Sequence, residues 1–390
     1  MTRHLALLPL LAGLTAPTLA SAACDTPGWI DKPDDVFAAD CVDFAFNGSL
    51  EERERLAWMF FARVSQLIDD PDGGISDTKK VPVWMAWPTD PDTFGTRMPF
   101  DWTNAAPRRA MEPSAEKKDI DAGRISTVDP DGANEEVTRN KIAYDYLIDA
   151  GLTTKIDVAA FFQKNDAVDM PVGSVELKAS WLQIADPKDA PDGALTFKFD
   201  GGYYWWRGLH IMVKMQSLKY PVEDIFYSEE PSWFWTTFEF NDNPGVGQVR
   251  ENLITQRAPL SREEIDKVLA EGGVADFGYQ AYAPNGTQIR FTVDGTGEVP
   301  VILGHTDMED FAGSPNTAQP QYWTRFEASC HACHASAAYN PESGAFFPFS
   351  VPTGTLDRGY NMTDSAGITQ YLGQGYKPLD FMWPIAFQTK

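Results

Sequence analysis

The sequence predicts an α+β protein, with helices first, an antiparallel β-rich scaffold in the centre, and a short helical segment at the C-terminus. Three observations predict it. A capped amphipathic helix stands at residues 49–68. Stretches of alternating apolar and polar residues recur between positions 172 and 303. Near the C-terminus, Ser329-Cys330-His331-Ala332-Cys333-His334 has the spacing of a helical turn.

The chain has 390 residues, of which 43% are hydrophobic, 13% aromatic and 23% charged. That is a folded globular composition. Thirty-two Lys and Arg oppose 56 Asp and Glu, a net charge of −24. Nucleic acid is excluded, because its binding neutralises phosphates with Lys and Arg. An anionic membrane surface is disfavoured on the same ground. The acidic surface suits solubility or a basic partner.

Taken in order, residues 1–23 read as a signal peptide. Arg3 is the positive start, Leu5 to Leu14 the apolar stretch, and Ala20 to Ala23 the small residues at the cleavage point. The run is too short to span a bilayer, and no later stretch holds 18 apolar residues, so no transmembrane segment is expected. The expected location is the periplasm. Cys24 follows the second cleavage point, which admits a lipoprotein, although a lipobox wants a large aliphatic residue where Ser21 stands. The favoured alternative is a Cys24–Cys41 disulfide, formed in an oxidising compartment and contributing ~3 kcal/mol.

Residues 24–170 read as a helical and irregular N-terminal region. Ser49 and Glu52 form a capping box, and Leu56, Phe60, Val64 and Leu67 keep helical spacing. Residues 88–140 are punctuated by Pro, Asp and Gly and read as an irregular excursion. Short amphipathic helices follow at 140–150 and 155–165. Residues 171–320 form the β-rich centre, with strands at 175–180, 195–199, 209–214, 233–240, 287–293 and 299–303. A helix capped by Ser261 interrupts them. Residues 321–390 are the closing segment.

C-x-x-C-H is the signature of covalent c-type haem attachment. Two thiols three positions apart each add to one haem vinyl group, and the adjacent His334 reaches the iron from the proximal side. A thioredoxin-like C-x-x-C would need a βαβ setting, and zinc a second ligand pair at short spacing; neither is present. One motif implies one covalent haem c. His331, between the cysteines, points away from the iron. Positions 24–329 are far more chain than a simple electron carrier needs.

The other face of the iron has several candidates. His210 lies in Leu209-His210-Ile211-Met212-Val213-Lys214. Leu209, Ile211 and Val213 share one strand face; His210, Met212 and Lys214 share the other. Arg207, just before, suits a haem propionate. Met382 is the alternative distal ligand, because small cytochromes often draw a Met from beyond the motif. His305 and Met362 are further candidates, and an open site is another outcome. No G-x-S-x-G, P-loop or H-E-x-x-H run is present.

Several segments resemble a family of exported bacterial proteins with a single C-terminal c-type haem motif. They are Val83-Trp84-Met85-Ala86-Trp87 with Phe94, Gly173 to Trp181, Gly208-Leu209-His210-Ile211, Trp235 to Glu239 with Asn243-Pro244, and Ser329 to His334. They run in order over most of the mature chain. The family usually has Glu-Thr where Met85-Ala86 stands here. The resemblance implies a monohaem protein and supports His210, whose segment matches.

The expectation is an exported monohaem c-type protein acting in electron transfer with a redox partner protein, which acidic charge would steer. One alternative is a haem-dependent oxidoreductase, peroxidase- or oxygenase-like, that takes a small-molecule substrate at an open distal site. Another is a haem-based ligand-binding or sensor module.

Overall fold

The N-terminal helices form where the sequence caps and staples them. Helix α1 (Asp34–Asp40) and helix α2 (Val42–Phe46) lead into α3 (Leu50–Val64). Ser49 Oγ accepts the Glu52 N–H at 3.2 Å, and the Glu52 carboxylate accepts the Ser49 N–H at 2.7 Å. The helix stops at Val64, short of the expected 68, because Leu67–Asp69 pairs with Lys80–Pro82 as an antiparallel ribbon. Leu67 keeps helical spacing, but ladder hydrogen bonds take its backbone.

This computed structural model describes residues 24–70, 78–95, 99–107, 112–113, 134–199, 201–217, 232–252, 257–289, 303–309, 313–315, 323–326, 328–335, 337–346 and 375–389. The expected signal peptide, Met362 and most of the strands expected at 287–293 and 299–303 lie outside the described residues. Among the described residues, no helix is long and apolar enough to cross a membrane. Cys24 and Cys41 are buried and joined by a disulfide, 17 positions apart. Cys41→Ser is expected to lower stability by ~3 kcal/mol, measured by urea unfolding.

Seven antiparallel strands build the central sheet. They are β1 (Glu112–Pro113) and β2 (Asn134–Arg139), then, after helices α4 (Lys141–Asp149) and α5 (Lys155–Phe161), β3 (Val175–Ile184), β4 (Thr196–Phe199), β5 (Gly202–Lys214), β6 (Trp233–Phe240) and β7 (Tyr282–Gln288). The order is β1-β2-β3-β5-β6-β7, with β4 pairing β5. Helix α6 (Arg262–Glu271) carries the expected Ser261 cap. Strand β2 lies in the stretch expected to be irregular. Its residues are charged rather than alternating, and cross-strand partners compensate: Glu135 meets Lys178 at 2.8 Å, and Arg139 meets Glu176 at 3.3 Å.

The two faces of the sheet differ. Leu177, Ala179, Trp181, Leu209, Ile211, Val213, Phe234 and Phe238 join a core with α3. Phe61 of α3 stacks on Phe238 with ring centroids 4.2 Å apart. The other face presents Glu176, Lys178, His210, Met212, Trp235, Thr237 and Glu239. Apolar members of that face, with α4 and α5, join a second core that holds Cys330, Leu379, Met382 and Ile385. The C-terminal stretch is not purely helical. Helix α7 (Cys330–Ala335) and helix α8 (Trp383–Gln388) flank a small three-stranded sheet of Ala338–Asn340, Ala345–Phe346 and Lys377–Pro378.

Arg139 is fully buried and faces two carboxylates, Asp90 and Glu176. Burial pushes the Glu176 carboxyl up to about 7; Arg139 opposes the shift and Asp90 adds to it. An unfolded Glu releases its proton near pH ~4.3. The folded protein keeps it to about 7, so this contribution to stability is present below the unfolded value and lost as pH rises to about 7. Glu176→Gln should therefore lose less stability than the parent between pH 5 and 8, by on the order of 1–2 kcal/mol. Paired urea titrations at the two pH values would show it; equal losses would refute it.

Candidate haem site

Strand register places the site. Three rows of residues cross the second face of the sheet. The first is Glu176, Met212, Trp235 and Gln288; the second Lys178, His210, Thr237 and Gly286; the third Ser180, Gly208 and Glu239. Helix α7 docks on the first row. The Gln288 side chain accepts the His331 N–H at 2.9 Å and donates to Ser329 Oγ at 2.8 Å. Leu303 forms a parallel bridge with Ser329, which brings the 303–309 turn alongside α7.

Cys330 and Cys333 are not disulfide-bonded. The Cys330 thiol donates to the Leu303 carbonyl at 3.3 Å, and burial holds its pKa well above the usual range, with Glu309 adding to the shift. His334 Nδ1 lies 2.8 Å from the Phe381 carbonyl oxygen. A carbonyl only accepts, so the proton sits on Nδ1 and the Nε2 lone pair is left for a metal. Burial holds the His334 ring at about 4 against the Phe381 bond, so it is neutral at physiological pH. Its ring packs on Trp235, centroids 4.6 Å apart.

The presentation of the Phe381 carbonyl has its own cause. Asp380 and Phe381 both have left-handed backbone, φ 50° and 69°. Non-glycine residues hold that conformation only where surroundings enforce it. Asp380 is clamped by Lys214 Nζ at 2.7 Å, Trp233 Nε1 at 2.9 Å and the Met170 N–H at 2.6 Å. The sheet thereby fixes the carbonyl that sets the His334 tautomer.

His210 lies on the second face, as its alternation implied. Its Nδ1 is 2.7 Å from Thr237 Oγ1 and its Nε2 is 2.9 Å from Glu309 Oε1. Burial raises the Glu309 carboxyl, but the charge and hydrogen bond of His210, with Lys178 and the His305 N–H, outweigh it and hold it at about 2. Arg207, expected at a propionate, is the extra residue of a β-bulge between Ser180–Gly208 and Trp181–Trp206. The bulge re-aims it, and its Nη2 meets Asp307 Oδ1 at 2.6 Å. Met382 directly follows Phe381, whose carbonyl holds His334 Nδ1. It is fully buried in the second core.

His305 is buried, and burial lowers its pKa to about 4. The Asp307 N–H donates to its Nδ1 at 3.1 Å, so Nε2 carries the proton; that atom has no hydrogen-bond partner among the described residues. Glu239, His305 and Asp307 bring ligand-type atoms within 4.8 Å of one another. Protein donors already use them: Asn243, Asn285 and Thr306 hold Glu239, and Arg207 holds Asp307. The two carboxylates are thus engaged in a buried hydrogen-bonded network, to which His305 contributes Nδ1. Gly208 packs on it with φ 153°, where a Cβ would strike the Phe238 carbonyl and approach His305 Nε2 to 2.6 Å. Gly208→Ala should cost ~2–3 kcal/mol by overpacking, measured as a lowered urea midpoint.

Sequence reasoning missed Glu309, Thr237, Trp235, Gln288 and the Phe381 carbonyl. Alternation along β6 could have put Trp235 and Thr237 on the His210 face. Glu309 had no local signal among so many carboxylates. No protein-family model, no curated protein and no solved structure matches this chain.

Proposed function

We propose that this is an exported monohaem c-type protein. Cys330 and Cys333 carry the haem by thioether bonds and His334 Nε2 ligates the iron. The observation that carries the reading is the Nδ1 bond from His334 to Phe381, which prepares a metal-binding nitrogen one residue after a pair of thiols at haem spacing. The residues fit the group in a second way: the buried Trp235 indole N–H, beside His334, has no hydrogen-bond partner among the described residues. Bound haem would supply a one-electron couple and an iron coordination position. The Cys24–Cys41 disulfide supports an oxidising location.

Electron transfer to a partner protein is the general role, with the net charge of −24 favouring a basic partner. The His210 geometry favours a second reading, a haem-dependent oxidoreductase. For His210 to be the sixth ligand of a carrier it must give the iron a ring nitrogen, and both of its nitrogens already have protein partners. Optical spectra of the ferric and ferrous holo-protein, then with carbon monoxide, test the two. Low-spin iron that refuses carbon monoxide supports the carrier. High-spin iron that binds it supports the oxidoreductase. A chain that holds no covalent haem refutes both.

A further inference from the structure

The clamp on Asp380 has the makeup of a reactive site: an amine, a carboxyl carbon and a second carboxylate, shut away from water. Lys214 ends strand β5, and Asp380 lies 166 positions further along the chain. Both side chains are 0% exposed, and Lys214 Nζ is 2.7 Å from Asp380 Oδ2. Asp169, 36% exposed, places its Oδ1 3.0 Å from the same Nζ. Two donors hold the Asp380 carboxylate: the Trp233 indole N–H on Oδ1 at 2.9 Å and the Met170 N–H on Oδ2 at 2.6 Å. Other lysine pairs, such as Lys178 with Glu135, are partly exposed, so water competes for them. The buried Arg139 and Arg207 also meet carboxylates, but a guanidinium keeps its charge and is no nucleophile.

We propose that Lys214 and Asp380 condense to an intramolecular amide, a covalent cross-link between the central sheet and the C-terminal segment. The ion pair is the reactant. One ammonium proton moves to Asp380 Oδ2, leaving a neutral amine and a carboxylic acid. Nζ attacks Cγ, and the carbonyl electron pair moves onto Oδ1, where the Trp233 N–H meets the charge. Asp169 takes a second proton from Nζ and gives it to Oδ2. The electron pair on Oδ1 returns to Cγ, the Cγ–Oδ2 bond breaks, and Oδ2 leaves as water. Nζ keeps one proton, Asp169 is restored, and nothing is oxidised or reduced. Fixed contact at hydrogen-bond distance replaces a bimolecular encounter. The product removes two buried charges, whose desolvation the ion pair has to bear. The link also holds the left-handed backbone of Asp380.

Peptide mass spectrometry of the purified full chain, denatured, reduced and digested with trypsin, is the test. The expected result is a branched peptide that joins the Lys214 and Asp380 segments, lighter than their sum by one water and uncut after Lys214. Separate peptides at full mass overturn the inference. Separate peptides with a water missing at Asp380 overturn it too, since a ring closed on the neighbouring backbone nitrogen loses the same water. Asp169→Asn removes the proton carrier from the partly exposed side of the site. In variant protein shown by urea unfolding to be folded, the branched peptide should fall at least about 10-fold. An undiminished cross-link there overturns the role of Asp169. Lys214→Arg keeps the charge and should yield no branched peptide; should it fail to fold, the parent and Asp169→Asn decide. The readout does not involve haem, so its failure and that of the haem reading are separate results.

Discussion

Replacing Cys330 and Cys333 together with Ala is expected to leave a protein from which acidified organic solvent extracts all haem. Thioether bonds are the only links that survive denaturation, and each needs one cysteine sulfur. Either single replacement should retain haem through the remaining bond. The two cysteines belong to a single short helix whose start is held by Gln288 and Leu303. Those anchors use backbone and the Gln288 and Ser329 side chains, so they remain in the double variant although the bond from the Cys330 thiol to the Leu303 carbonyl is lost. The measurement is haem absorbance in denatured, solvent-extracted protein. Haem that stays with the double variant would refute the assignment.

Lys214→Met is expected to cost ~3–5 kcal/mol, the cost of leaving a buried charge without its partner. Lys214 is fully buried, and its ammonium lies 2.7 Å from Asp380 and 3.0 Å from Asp169. Burial raises the Asp380 carboxyl, while Lys214 and Trp233 draw it down. Without Lys214 the carboxylate remains buried against Trp233 and the Met170 N–H. The consequence extends to His334, because Asp380 holds the left-handed turn that presents the Phe381 carbonyl. Adding Asp380→Asn should restore part of the stability, since the two changes share one interaction. Urea unfolding of the single and double variants provides the check. A loss below ~1 kcal/mol in Lys214→Met would show that the clamp contributes little.

Much of the scaffold was legible because local chemistry dictated it. Ser49 with Glu52, and Ser261 with Glu264, announce helix starts through their own hydrogen bonds. Residues 209–214 alternate, so the opposite faces of Leu209 and His210 follow from pleat geometry alone. Strand β2 was not legible. Glu135, Glu136 and Arg139 give no apolar alternation, and partners far along the chain neutralise Glu135 and Arg139. The bulge at Arg207 was equally hidden, because one extra residue in a ladder depends on the neighbouring strand.

By itself, the sequence determined the elements whose chemistry is local: the capped helices, the alternating strands, and the C-x-x-C-H run with its thiols and imidazole at haem spacing. The tertiary structure decided what surrounds that run. Sheet register brought His210 and Thr237 into one row, and the 303–309 turn set Glu309 against them. The clamp on Asp380 turned the Phe381 carbonyl onto His334. The physical reason is that a hydrogen bond acts over about 3 Å, whereas its partners here lie tens to hundreds of residues apart in the chain. Only strand pairing and packing bring such groups within reach.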